Sequence, residues 1–274
     1  MPHIVHATDF SPGSEVAFAH ALAIALVHRA RLTLIHVGGP GDGPVDWELF
    51  PGVRPRLAAW GLLPEGADRR VVARELGVDV YKTAVPGKDA ADGVLTLMEV
   101  QPADLLVLGH EGHTGGWEIF RRSTSRTLAR KAGAPVLVVP GGTRGFVSLE
   151  DGSLSIRRVL CPVDVRPDPR PAILAAAELL RDMATPGCEV DLFHAGDAEP
   201  APHFTQADLP GATILRHSNP GDPATEILER AAETGPDLII MASEGRHGLV
   251  DMLYGSVSEQ VLRAARSPVL CVPV

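Results

Sequence analysis

Three glycines and a serine near the C-terminus are spaced so that they could hold an anion: Gly245, Gly248, Gly255 and Ser256. An apolar run at 237–241 precedes them, and a helix-like run at 256–265 follows. A strand, a glycine loop and a helix start often form a phosphate site, because the first N–H groups of a helix are unpaired and the helix dipole favours negative charge. The stretch therefore predicts a phosphate site or, as the alternative, an ordinary turn between a strand and a helix.

Catalytic and metal-binding interpretations of nearby residues are weaker. Ser256 and Ser258 follow the glycines, but there is no G-x-S-x-G motif and no evident base, so we expect helix capping rather than nucleophilic attack. His110 and His113 are not spaced as in H-E-x-x-H and fall in a glycine loop. We therefore predict no catalytic residue and no metal site.

Four other polar residues could support a ligand without catalysing a reaction. Arg246 and His247 lie inside the loop, where they would neutralise a phosphate or simply be solvated. His36 and His194 end two matching strand-like runs, which favours a structural role or a place beside a bound base.

The composition predicts a globular α/β protein. Of the 274 residues 45% are hydrophobic and only 4% aromatic, so the core must consist mainly of Val, Leu, Ile and Ala, as in parallel sheets covered by helices. No apolar run approaches the roughly 20 residues of a membrane span, and the first residues lack the basic region of a signal peptide. We expect a cytoplasmic protein in which Cys161 and Cys271, inside apolar runs, are buried and unpaired.

The charge is distributed unevenly along the chain. Residues 1–150 carry 15 Lys+Arg and 16 Asp+Glu, giving −1, whereas residues 151–274 carry 10 and 18, giving −8, for the total of −9. This acidity argues against nucleic acid as a partner. Residues 151–274 contain no lysine, so any phosphate there must be held by amides, hydroxyls or arginine.

The chain contains one pattern twice. The clearest pairs of matching segments are Ala134–Pro140 with Ser267–Pro273 and Ala103–Gly109 with Pro236–Ala242. Three further pairs follow in the same order, namely Ile4–Asp9 with Val159–Asp164, Leu32–His36 with Val190–His194, and Val85–Gly87 with Asn219–Gly221. Aliphatic strands alternate with helices in each copy, which indicates parallel βαβ units.

The repeat predicts two domains, at residues 1–143 (half one) and 157–274 (half two), joined by a linker at 144–156. Half one should contain strands near 3–8, 31–37, 78–85, 104–109 and 135–139, and helices near 11–29, 53–76, 88–100 and 121–132. Half two has only 25 residues between His194 and Pro220, against 49 between His36 and Pro86, so its second helix should be reduced or lost. The last strands, 135–139 and 268–272, could pair within one chain as an intramolecular pseudo-dimer.

These segments resemble the universal stress protein family in its tandem form. The family's loop motif is G-x-x-G, nine residues, then G-[ST]. Half two gives Ala242-Ser-Glu-Gly245 and then Gly255-Ser256, and half one gives Gly109-His-Glu-Gly112 and then Arg122-Ser123. The resemblance implies two Rossmann-like domains, each an open, mostly parallel five-stranded sheet with helices on both faces.

The resemblance also implies a site for ATP or AMP and assigns residues to it. The aspartate at the end of the first strand would lie at the nucleotide, the residue after the strand-end histidine would lie near the adenine, and the loop and helix start would face ribose and phosphates. In half two the implied residues are Asp164, Ala195, Ala242, Gly245, Arg246, Gly255, Ser256 and Val257. In half one they form a degenerate site of Asp9, Val37, Gly109, Gly112, Arg122 and Ser123.

Neither half keeps the motif intact. Ala242 replaces the first glycine of half two and adds one methyl group. Arg122 replaces the third glycine of half one and would either fill the phosphate pocket or contact a phosphate. We therefore expect any nucleotide to bind in half two.

Three functions remain open from the sequence. The first is a cytoplasmic stress-response protein that binds adenine nucleotide as a sensor or regulatory module. The second is a nucleotide-free stress protein that acts through dimerisation and partner binding, as a pseudo-dimer or a homodimer. The third is an ATP-dependent α/β enzyme, which the lack of a convincing acid/base pair disfavours.

Overall fold

The computed structural model describes residues 1–38, 45–87, 89–110, 118–143, 145–196, 202–244 and 257–274, and gives only the backbone of residues 110 and 118–123. Half one contains ten elements in the order β1 (His3–Ala7), α1 (Pro12–His28), β2 (Arg31–Gly38), α2 (Val53–Ala59), α3 (Arg69–Leu76), β3 (Asp79–Pro86), α4 (Ala90–Val100), β4 (Leu105–His110), α5 (Glu118–Lys131) and β5 (Val136–Pro140).

Among its described residues, half two repeats this order with fewer helices. Its elements are β6 (Ile156–Pro162), α6 (Arg170–Met183), β7 (Ala184–Ala195), β8 (Thr213–Asn219), α7 (Pro223–Thr234), β9 (Leu238–Ser243), α8 (Val257–Ala264) and β10 (Val269–Pro273). Half one has α2 and α3 between its second and third strands. The described residues at the matching place, 202–212, contain turns and no helix.

The ten strands form one sheet in the order β3-β2-β1-β4-β5-β10-β9-β6-β7-β8. Every neighbouring pair within a half is parallel. The order 3-2-1-4-5 therefore appears twice, in mirror sequence across the centre of the sheet, which confirms the expected α/β fold of two five-stranded parallel units.

The two units join through their last strands. β5 and β10 pair antiparallel, with Val136 opposite Cys271 and Val138 opposite Val269. Both strands are apolar and almost wholly buried. The predicted pairing of the last strands within one chain is thus confirmed, and it protects two strand edges that would otherwise be exposed.

Helices cover both faces of the sheet. The core on one face includes residues of α1, α2, α3 and α6, and the core on the other includes residues of α4, α5, α7 and α8. Because successive side chains of a strand point to opposite faces, the aliphatic runs supply both cores at once.

Helix α1 shows why these residues form this element. Ser11 is the N-cap, its hydroxyl accepts a hydrogen bond from the N–H of Ser14 at 3.2 Å, and Pro12 occupies the first turn, as the sequence predicts. The helix is apolar on nearly all sides, with residues 17–25 all buried. A helix of this kind must be covered on its outer side as well.

The predicted linker supplies part of that cover. Phe146 and Val147 are buried, Val147 forms a bridge with Leu154, and the N–H of Phe146 donates to His20 Nε2 at 3.1 Å on α1. Trp60 Nε1 donates to the carbonyl of Leu149 at 3.2 Å. The described part of this segment is therefore packed against half one, while the domain boundaries drawn from the sequence stay a prediction.

All three cysteines are buried and unpaired. This confirms the prediction for Cys161 and Cys271 and adds Cys188, which precedes the apolar run of β7. Burial raises the pKa of Cys188 to about 11 and that of Cys271 to about 12. In the described part of the chain, the helices are all too short or too polar to cross a membrane.

Candidate functional site

A cleft of about 170 Å³ opens at the carboxyl ends of the central strands of half two. In parallel α/β sheets this end of the strands is where ligands bind, at the point where the strand order reverses. Here β6 runs between β9 and β7, so the chain crosses to opposite sides of β6. The cleft lies at that reversal.

Four residues that the resemblance assigned to a nucleotide line this cleft together. Asp164 follows β6, Ala195 ends β7, Ala242 lies in β9, and Val257 begins α8. They are separated by up to 93 positions in the sequence, and the parallel sheet brings them to one edge. The other four assigned residues, Gly245, Arg246, Gly255 and Ser256, lie outside the described residues.

The walls of the cleft are mostly apolar. Phe193, Ile227, Met241 and Val257 contribute from β7, α7, β9 and α8. Such surfaces suit a flat base, whose faces are poorly hydrated.

The polar groups of the cleft suit binding better than bond cleavage. The charged residues among the described lining are Asp164, Arg166 and Glu244, accompanied by the hydroxyls of Ser243 and Ser258. Carboxylates accept hydrogen bonds from ribose hydroxyls in nucleotide-binding α/β folds. The described lining contains no histidine, cysteine or lysine, so a serine hydroxyl there has no imidazole or amine of the cleft beside it to act as its base.

Asp164 also fixes the local backbone. Its Oδ1 accepts a hydrogen bond from the N–H of Val165 at 2.6 Å. In half one, Asp9 Oδ1 accepts from the N–H of Ser11 at 3.0 Å. Both aspartates therefore begin the turn after the first strand, and both are exposed at the end of the sheet.

The first motif glycine is required by close packing in half one. A Cβ on Gly109 would lie 2.8 Å from the carbonyl oxygen of Gly13 and 2.8 Å from Ser14 Cα, both at the start of α1. In half two the corresponding contact between the first motif position and the helix start is less close. The reason is that α1 begins three residues after Asp9, whereas α6 begins six residues after Asp164. The later helix start leaves room for the methyl group of Ala242.

The ends of the second strands also differ. A Cβ on Gly87 or Gly93 would lie within 2.8 Å of Val37 Cγ1, so the isopropyl group of Val37 packs directly against both glycines. Ala195 occupies the matching position in half two, where it lines the cleft together with Pro223. Half two thus carries a smaller side chain where half one is closely packed.

The strand-end histidines have a structural role. His36 Nδ1 lies 2.9 Å from the carbonyl oxygen of Thr8, and His194 Nδ1 lies 3.0 Å from that of Val163. In each half the imidazole therefore ties the second strand to the end of the first. His36 also stacks on Phe10 at 4.1 Å, on the sheet face opposite Val37.

Helix α5 begins at Glu118, three residues before the predicted start near 121. Arg122 is consequently its fifth residue, beyond the first turn, and the expectation that it stands at the helix start is wrong. The segment from Glu118 to Arg122 contains no glycine, so nothing in it stops the helix from extending backwards. Ser123 lies in the same helix, and Gly112 lies outside the described residues.

Half one places a buried polar network beneath the start of α1. Ser14 Oγ lies 2.9 Å from Thr8 Oγ1 and 3.4 Å from His6 Nε2, while His6 Nδ1 lies 3.1 Å from the carbonyl oxygen of Val107. Burial lowers the pKa of His6 to about 4, so the ring is neutral at pH 7. Half two has Cys161 and Val163 in place of His6 and Thr8.

Sequence reasoning missed several residues of the cleft. Arg166, Pro167 and Pro169 belong to the longer loop before α6, and Glu244 follows β9. The three extra residues between Asp164 and the helix were the available signal, since an insertion at the carboxyl end of a parallel strand extends the binding edge.

The comparisons with known proteins agree with this architecture. The sequence profile of the universal stress protein family matches residues 1–140 and 207–273. Universal stress protein Rv2005c of Mycobacterium tuberculosis is 28% identical over 97% of this chain and 95% of that protein. A universal stress protein of Archaeoglobus fulgidus has a similar fold, with a TM-score of 0.67 at 19% identity over 99% of this chain and 98% of that one.

A protein of Pseudomonas aeruginosa described as functionally unknown, PA1789, has the same fold, with a TM-score of 0.63 at 17% identity over 100% of this chain and 92% of that one. The matched profile covers well over half of the sequence, in one segment that spans all five strands of half one and another that spans the last three strands of half two. The chain therefore belongs to the universal stress protein family.

Proposed function

We propose that this stress protein binds one adenine nucleotide, ATP or AMP, in the cleft of half two and acts as a regulatory binding module in the cytoplasm. The observation that carries the proposal is the meeting of Asp164, Ala195, Ala242 and Val257 in one cleft. These residues come from four separate parts of the sequence, and the family motif assigns each of them to the nucleotide.

The chemistry of the cleft gives each part of a nucleotide a place. The apolar walls formed by Phe193, Ile227 and Met241 would take the base. The carboxylate of Asp164 would accept from the ribose hydroxyls. The amides at the start of α8, together with Gly255, Ser256 and Arg246, would receive the phosphates, since the N-terminus of a helix attracts anions.

The charge of half two does not prevent this. Its net −8 repels a polyanion at a distance, but salt screens that repulsion over about 8 Å at physiological ionic strength. Contacts within the cleft therefore decide the affinity. Occupancy would act by changing the surface around α8 that a partner protein reads.

The runner-up is a nucleotide-free stress protein that works through its folded surface and partner binding. The motif departures at Ala242 and Arg122 favour it, as do the two carboxylates of the cleft, Asp164 and Glu244, against the one described cation of its lining, Arg166. An ATP-dependent enzyme is disfavoured by the lining, and it would require multiple turnover of ATP.

Calorimetric titration of nucleotide-stripped protein with AMP and ATP tests the proposal. Wild-type protein should bind, and Ala195→Leu should weaken binding at least tenfold, because the larger side chain fills the cleft. Ala232→Leu, on the exposed side of α7, is the matched control and should bind as wild type does.

Absence of binding to wild-type protein would favour the nucleotide-free alternative. Equal loss in Ala195→Leu and Ala232→Leu would show that the cleft of half two is not the site. Steady release of ADP over many turnovers would instead support the enzyme.

A further inference from the structure

Half one contains a second and larger groove, of about 860 Å³, at the edge of the sheet. It lies between the segment 47–55, the helix α3 and the strand β3. Its volume is within the range of about 300–1,000 Å³ that is typical of small-molecule sites. Half two has no equivalent in its described residues, since 202–212 form turns where half one has α2 and α3.

Four cations face this groove: Arg54, Arg69, Arg70 and Lys82. Two carboxylates, Glu48 and Asp79, also line it, which leaves an excess of two positive charges. Among the described residues none of the four cations has a carboxylate within 4.0 Å. The groove is thus positive in a protein whose total charge is −9.

Among these cations, Lys82 gives the strongest indication of an anion site. Its Nζ lies 5.7 Å from the centre of the Phe50 ring, which is buried. Burial and the neighbouring charge of Arg54 lower the pKa of Lys82 below its usual value. Two like charges brought together in partial burial are unfavourable unless an anion joins them.

The matching residue of half two has a different environment. Arg216 occupies the position of Lys82 on the third strand of the unit, opposite Leu192 as Lys82 is opposite Leu34. Arg216 Nη2 donates to the carbonyl of Phe204 at 2.5 Å. In half two the guanidinium group of Arg216 is therefore hydrogen-bonded to the backbone. In half one the ammonium group of Lys82 lies near an aromatic ring in an open groove.

An aromatic surface lies beside the cations. Trp47 stacks on Phe50 with ring centres 5.3 Å apart and planes at 14°, yet Trp47 is 54% exposed. A large ring left half open to solvent at the rim of a groove is typical of a ligand site. Val72 and Val78 add apolar surface from α3 and the start of β3.

We infer that this groove binds a small organic anion, with a planar apolar body against Trp47 and Phe50 and its anionic group between Lys82 and Arg54. The site is separate from the nucleotide cleft of half two and does not depend on it. An isolated inorganic anion lacks the apolar body, and a neutral aromatic lacks the charge, so neither should bind as well as a molecule that carries both.

A matched pair of fluorescent probes tests this inference on the full-length protein. The anionic probe is 8-anilino-1-naphthalenesulfonate, and N-phenyl-1-naphthylamine has the same rings without the sulfonate. The anionic probe should bind about tenfold more tightly, and Lys82→Met should remove about that factor for it while changing the neutral probe less than about twofold.

Arg74→Met is the control, because Arg74 lies on α3 but outside the groove, paired with Glu75 at 2.8 Å. Arg74→Met should leave the affinity for both probes unchanged. Trp47→Ala should weaken both probes, since it removes apolar surface rather than charge. Unfolding temperatures of all variants should match wild type, which excludes binding to partly unfolded protein.

Four results would overturn the inference: equal affinity for the two probes, equal effects of Lys82→Met and Arg74→Met, no binding of either probe, or displacement of the anionic probe by AMP. Saturating AMP should leave the bound anionic probe in place. Displacement by AMP would assign the probe to a nucleotide site and would also contradict a separate groove, whereas failure of AMP to bind at all would bear only on the cleft of half two.

Discussion

The two halves share a fold but differ where the first strand passes into its helix. In half one, α1 begins close to the sheet and touches Gly109 so closely that a methyl group would not fit. In half two, three extra residues delay the start of α6, Ala242 is accommodated, and a cleft opens beside Asp164. A short insertion at the carboxyl end of a parallel sheet is thus enough to change the binding edge without altering the strand order.

At the outer edge of the sheet it is half one, rather than half two, that has the larger opening. Half one keeps α2 and α3 there, and they enclose a positively charged groove. The described residues of half two at this place, 202–212, contain turns and no helix, and Phe204 and Leu209 are buried there. The two halves therefore differ at two places: half two has the cleft beside Asp164, and half one has the groove at its sheet edge.

The largest effect should follow from separating the halves. Fragments 1–155 and 156–274 would each expose a fully apolar edge strand, β5 or β10. We expect both fragments to aggregate or self-associate, as measured by analytical ultracentrifugation, and co-expression to restore a soluble pair. Two monomeric fragments that keep the unfolding midpoint of the parent would contradict the paired-strand account.

The next effect concerns acid stability, which should be limited by half one. Burial lowers the pKa of His6 and of His20 to about 4, below the value of 6.5 expected in the unfolded chain. Above pH 6.5 both rings are neutral in either state. As the pH falls from 6.5 to 4 the unfolded chain gains protons that the folded protein cannot, so stability falls by about 3 kcal/mol for each histidine.

Urea unfolding at pH 7 and pH 4.5 measures this loss. His20→Gln should reduce the difference between the two pH values, although it also weakens the contact with the N–H of Phe146. His203→Gln, at an exposed position of half two, is the control. An unchanged difference in His20→Gln would show that this histidine is not responsible.

A smaller effect tests the close packing at the first motif position. Gly109→Ala should destabilise the protein by about 1–3 kcal/mol, because the new methyl group meets backbone atoms of α1 that cannot rotate away. The reciprocal change Ala242→Gly should cost only about 1 kcal/mol, mainly in conformational entropy. Chemical denaturation of both variants would refute this account if Gly109→Ala were the milder change.

The sequence predicted the sheet well because its signals are local and occur twice. The runs at Leu105–His110 and Leu238–Ser243 are mainly aliphatic and are bounded by turn residues, so both could be recognised as strands. Their matching place in the repeat showed that they are equivalent strands of the two halves. The pairing of β5 with β10 could be predicted because both strands are apolar and each would otherwise be an exposed edge of its sheet.

The candidate site was predicted only in part. The strand-end residues Asp164 and Ala195 could be found because they match a repeated motif at fixed distances from a strand. The predicted start of α5 was a few residues too far along the sequence. The family motif has a glycine at the helix start, but this sequence has Arg122 there and no helix breaker just before it, so the helix begins earlier. The groove at β3 was missed because its lining comes from three separate segments whose side chains show no pattern until α2 and α3 pack on the sheet.

The most direct test of the asymmetry between the halves is the number of nucleotides bound per chain. Titration calorimetry of stripped protein with AMP should give one site per chain in wild type and none in Gly255→Arg, because the arginine would occupy the start of α8 where phosphate is expected. Arg122→Gly, the reciprocal exchange in half one, should keep at least that one site. Two sites per chain in wild type, or undiminished binding by Gly255→Arg, would contradict the assignment of the nucleotide to half two.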